Sequence, residues 1–178
     1  MKRLLLIPAA VLAVGAGVAA AAPAEAPPVL ERSAALTTAA PPSGAATIPA
    51  AEARAAADRL ARSIPLPEGG TFAGVRWEEA GGHFAPADIS AVLQYNAFCQ
   101  WMRSWRDGRD AALSAAVLAD VPAWSAWRGA EAADRLTEVV ADVRAGGGTA
   151  ATETLADCDA SHAREVEYAA AHGLTPSR

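Results

Sequence analysis

Two cysteines, three histidines and five tryptophans are the residues of this chain with the most chemistry to offer. Cys99 and Cys158 form an even pair in a chain whose start reads as an export leader, and that combination predicts a disulfide. Only one intrachain pairing exists for two cysteines. It closes a loop of about 60 residues, for which the chain-entropy relation gives a stabilisation of about 4 kcal/mol. The same atoms allow a second arrangement, a metal site in which Cys158 and His162, one helical turn apart, join Cys99, with Asp159 or Glu165 as a further donor. Thiolate and imidazole suit zinc or copper. The chain carries no CxxC and no HExxH, so the disulfide is the expectation, and neither a metal nor a cofactor is expected.

Nucleophilic catalysis finds little support. Ser90, Ser104, Ser125 and Ser161 stand in no GxSxG or SxxK context, and a Cys–His pair cannot act once Cys158 is oxidised. Neither GxGxxG nor GxxxxGK[ST] occurs, so nucleotide binding is not indicated. The carboxylates fall mostly on polar helix faces, where charge means solvation. The net charge of −5, more negative still without Lys2 and Arg3, excludes nucleic acid as the main partner because phosphate recognition needs clustered cations.

The remaining candidate is a small-ligand pocket. In the segment ADISAVLQYNAFCQWMRSWR, Tyr95, Phe98, Trp101, Met102 and Trp105 occupy one broad helical face, and Asn96, Gln100 and Arg103 form a narrow polar stripe opposite. Aromatic residues at this spacing ordinarily build a core. The functional alternative is a Trp-lined pocket in which Asn96, Gln100, Trp101, Arg103 and Trp105 contact a ligand.

These residues need elements to position them, and the chain supplies helices. Ala51 to Ile64 repeats apolar residues at Ala53, Ala57, Leu60 and Ile64; Ala87 to Arg106 is a central helix, apolar over most of its circumference. Asp110 to Ala119 follows a break at Gly108, and Trp124 with Trp127 falls in a short helical or turn segment. Glu131 to Arg144 turns Leu136, Val139, Val140 and Val143 inward, with Arg135 placed to pair with Glu131, before three glycines end it. The last helix, Thr152 to His172, carries an inner stripe of Leu155, Cys158, His162, Val166 and Ala169 and stops at Gly173. Thr71 to Glu79 alternates well enough for one strand or an extended cover segment. His83 falls in a Gly-rich loop, and His172 sits at a helix end, where a cation complements the dipole.

The fold expected is therefore mainly α: a small domain of about five helices with at most one short strand or hairpin, over residues 50–178. Ahead of it, 1–22 reads as a signal peptide or signal-anchor. Lys2 and Arg3 precede an apolar run, and Ala19 and Ala21 suit signal peptidase for a cut before Ala22. Leu4 to Ala22 is also 19 residues without a charge, nearly a bilayer crossing at about 1.5 Å per residue, so membrane attachment through 4–22 is the competing outcome. Either outcome leaves the C-terminal part outside. Residues 23–49, rich in Pro and Ala, read as a disordered linker. The functional expectation is an exported, extracytoplasmic cell-envelope protein that binds an envelope partner or plays a structural part without catalysis, the ligand-binding or enzymatic pocket being the alternative.

Overall fold

A computed structural model describes residues 28–43, 46–78 and 81–177. The expected leader and the start of the linker lie outside them. Along the chain come α1 (Pro28–Thr38), β1 (Ile48–Pro49), α2 (Ala50–Ala61), β2 (His83–Phe84), α3 (Pro86–Arg106), α4 (Ala111–Asp120), a 3-10 turn (Val121–Ala123), α5 (Ala132–Ala145) and α6 (Thr149–His172). The protein is mainly helical, and the two short strands form one antiparallel ribbon that pairs Ile48 with Phe84 and Pro49 with His83.

Helix α3 is the axis of the molecule. Pro86 suits its first turn because the missing N–H there has no intrahelical partner, and the Asp88 carboxylate accepts the Ala85 N–H at 2.9 Å. Neighbours cover nearly its whole circumference. Ile89, Leu93, Ala97, Phe98, Trp101 and Met102 are at most 2 % exposed, with Val117, Leu118, Val121 and Trp124 packed into the same core. Much of what surrounds them is alanine: Ala53, Ala56, Ala57, Ala150, Ala151 and Ala169 are buried, each contributing less apolar area than a Leu or Ile would.

Two expectations need correction. Residues 28–38, expected within a disordered linker, form α1, which packs on α4 and the 3-10 turn. The cause is a stripe at helical spacing, Val29, Leu30, Ser33 and Leu36, that the flanking prolines conceal. Ser33 is fully buried, its hydroxyl donating to Asp120 Oδ2 at 2.8 Å and accepting from Trp124 Nε1 at 3.3 Å. Residues 71–78, expected as a strand or an extended cover segment, form no strand and run as turns and irregular chain. Side chains satisfy their backbone instead of a partner strand. Gln100 accepts from Thr71 N and donates to Thr71 O, while Arg54 donates to the carbonyls of Ala73 and Val75.

Helix α5 buries Leu136, Val139, Val140 and Val143 as its periodicity requires. Arg135 pairs with Glu138 at 3.0 Å and with Glu153 of α6, in place of the expected Glu131. Gly146 closes α5 at φ +85°, a conformation that costs a side-chain-bearing residue energy, and Asp142 then accepts the Ala151 N–H at 3.1 Å in the first turn of α6. Gly146→Ala is expected to lower stability by about 1 kcal/mol, with Gly146→Asn losing less, as read by thermal unfolding.

Candidate functional site

The buried side of α3 meets α6 at the cysteines. Cys99 and Cys158 stand at bonding distance, S–S 2.06 Å, and are 3 % and 0 % exposed. With the sulfurs joined to each other, neither is a thiolate ligand, and Asp159 is engaged by Arg106 at 2.6 Å. The alternative metal arrangement of Cys99, Cys158 and His162 therefore does not form. No three metal-ligating side chains are grouped among the described residues.

Past the disulfide, the polar stripe of α3 turns inward, toward the rest of the chain. Gln100 is fully buried; its amide donates to Asn96 Oδ1 at 2.7 Å as well as to Thr71 O. Asn96 donates to Glu165 Oε2 at 3.3 Å. Arg103, 4 % exposed, donates to Ser177 Oγ at 2.9 Å. Glu165, 6 % exposed, accepts both the Ser177 N–H at 2.9 Å and the Ser177 hydroxyl at 3.1 Å. Three segments thus cross at one point: α3, α6 and the tail that doubles back from Gly173. A fourth packs close by, since a Cβ on Gly74 would fall 2.5 Å from Glu165 Cγ.

Ser177, His162 and Glu165 are the types of a nucleophile relay, but their geometry is not one. A relay uses both imidazole nitrogens, one toward the hydroxyl and one toward the carboxylate. Here Ser177 Oγ at 3.3 Å and Glu165 Oε2 at 3.8 Å both face Nδ1, and the serine bonds the carboxylate directly. Ser177 is also only 3 % exposed. What the cluster does is hold the tail down. Burial, and then the Arg103 charge, push the His162 pKa below its ordinary value, and burial likewise lowers that of Arg103.

The five residues expected to share a pocket are distributed over the interior and three separate clefts. Asn96 borders a shallow one with Tyr95 and Arg164, Trp105 a second with Gly146 and Thr152, and Trp101 a third. Gln100 and Arg103 are interior. Of these three, the Trp101 cleft encloses the largest volume, about 560 Å³, between α1, the 65–68 connection, α3 and the turn into α4. Its lining includes Val29, Leu66, Leu113, Glu68 and Asp110, none of which sequence spacing singled out.

A second polar group lies about one turn further along the same face of α6. Arg54 holds Glu78 through Nε at 2.7 Å and Nη2 at 3.0 Å, and the Tyr168 hydroxyl donates to Glu78 Oε2 at 2.8 Å. The Arg54 hydrogen bonds are the main cause that lowers the Glu78 pKa from 4.5 to about 2. His172 stacks on Tyr168 at 4.0 Å, whereas His83 is exposed on the ribbon. Because the folded-state pKa is depressed, the Glu78 contribution is complete above pH 4.5 and is lost as pH falls toward 2. The pair is partly exposed, so Arg54→Met is expected to cost about 1 kcal/mol or less at neutral pH, a difference that shrinks across that acid window in thermal unfolding.

No family model matches this chain, and no curated protein or solved structure does. The functional reading therefore rests on its own residues.

Proposed function

We propose that this chain is an exported cell-envelope protein whose helical domain works outside the membrane as a non-enzymatic interaction or structural module. The leader directs export, ending either in secretion after cleavage or in attachment through residues 4–22. The observation that carries the reading is the joined pair Cys99 and Cys158, enclosed between α3 and α6 in a small core that includes many alanines. Disulfides persist in oxidising compartments, and a small alanine-rich core is the kind that gains most from one. The polar cluster of α3 spends its hydrogen bonds on the chain's own tail and loop, a structural use of these side chains. The partner is then another envelope protein.

The test is expression of the full chain with its own leader in an export-competent bacterial host. Protease accessibility of the domain in intact spheroplasts, with no thiol alkylated before reduction, supports the proposal. A domain retained inside with two alkylatable thiols refutes it.

The cleft beside Trp101 favours a second reading, an exported small-ligand-binding domain. Of the five residues expected at a pocket, Trp101 borders the larger volume, about 560 Å³ against about 390 Å³ beside Trp105.

A further inference from the structure

We infer that the cleft beside Trp101 is a binding site for a small organic cation with an apolar body. The inference rests on the second, small-ligand reading above and names its ligand class. A volume of about 560 Å³ falls within the range of small-molecule sites. Four segments wall it with apolar groups: Val29 from α1, Leu66 from the 65–68 connection, Trp101 from α3 and Leu113 from α4.

The walls are fixed without a ligand. The Trp101 indole N–H donates to Pro65 O at 3.0 Å and holds the connection against α3. Ser104 donates to Arg109 O at 2.8 Å and accepts from Ser114 at 3.1 Å, which fixes the turn between α3 and α4. A preformed cleft spends little binding energy on ordering itself.

Charge selects the head group. Arg109 is the cation on the lining, and Asp107 pairs with it at 2.9 Å. Glu68 and Asp110 are exposed at the same cleft, and among the described residues neither carboxylate has a hydrogen-bond or ion-pair partner. The mouth is therefore net negative, in a chain that is itself acidic. An apolar body seated against the half-buried Val29, Leu66 and Leu113 places a cationic head beside these carboxylates, whereas an anionic head meets repulsion.

The experiment is calorimetric titration of the purified full chain with three probes that share one alkyl chain: hexyltrimethylammonium, 1-hexanol and hexanesulfonate. The ammonium is expected to bind with one-to-one stoichiometry and tightest, and the sulfonate weakest. The double variant Glu68→Gln, Asp110→Asn, whose changes lie at the surface, is expected to weaken the ammonium about fivefold and to leave the alcohol unchanged. Leu113→Trp fills the cleft and removes binding of all three, with its unfolding midpoint confirming a folded chain. Should Leu113→Trp fail to fold, Val29→Trp fills the same cleft from α1. Equal affinity for ammonium and alcohol, a preference for the sulfonate, or an unaffected double variant overturns the cationic class while the cleft remains a ligand site. Binding of no probe, or binding that survives a folded cleft-filled variant, overturns the small-ligand reading as well.

Discussion

Replacing both cysteines, Cys99→Ser with Cys158→Ser, is expected to lower the unfolding free energy by about 4 kcal/mol. The residues lie 59 apart in sequence, so the lost cross-link releases a long loop in the unfolded chain. That is a large share of the stability of a domain this size. The serine hydroxyls add to the loss, because positions 3 % and 0 % exposed offer them little water and a poor choice of partners. Cys99→Ala with Cys158→Ala separates the two effects: it keeps the positions apolar and is expected to lose less than the serine pair. Guanidinium unfolding reads both. Its slope should rise as its midpoint falls, since an unlinked denatured chain exposes more surface. If reductant leaves the wild-type midpoint where it was, the cross-link does not stabilise the fold.

Glu165→Ala is expected to cost about 3 kcal/mol and to release the C-terminal tail. The substitution removes the acceptor of two hydrogen bonds from Ser177 and one from Asn96, and it deprives the buried Arg103 of a nearby acid. Such a charge costs more without its counter-ion than the pair contributes while intact. Unfolding gives the first number. Hydrogen exchange at residues 174–177 gives the second, because the Ser177 N–H is protected only while Glu165 accepts it. Glu165→Gln keeps the shape and part of the acceptor set, and should lie between. Loss of stability with an unchanged tail would mean that Glu165 acts through packing alone. The same cluster is sensitive to acid. His162 faces Arg103 from α3, Asp159 and Glu165 on its own helix, and Ser177 in the tail. With its folded-state pKa depressed, its contribution is complete above its ordinary 6.5 and declines as pH falls through the lower folded value.

Sequence patterning was most legible where a helix carries a strong apolar repeat. Leu136, Val139, Val140 and Val143 mark the inner face of α5, and Ala53, Ala57 and Ile64 do the same around α2. The disulfide partners followed from cysteine parity. Other features hid for identifiable reasons. In α6, stepping by four along Cys158, His162 and Val166 drifts off a face that advances by 3.6 residues per turn, and Val166 is 40 % exposed. The buried seat is Glu165, seven residues from Cys158, and that spacing was the available signal. A charged residue there reads as solvent-facing unless its partner is known, and the partner is Ser177, beyond the helix end. In α1 a serine fills a core position, so the apolar stripe fell below notice. The Trp101 cleft brings α1 and the 65–68 connection onto the α3–α4 turn, segments distant in sequence, and no local pattern encodes such a meeting.

The placement of α1 has a mechanical consequence. Helix α1 precedes the loop closed by Cys99 and Cys158, so a pull applied through the residues before Pro28 reaches the domain at a helix held only by noncovalent contacts. Under tension α1 peels away from Asp120 and Trp124 first, while the covalently joined α3 and α6 stay together. The same step carries Val29 off the cleft, so a pull on that end would be felt there as the loss of one wall.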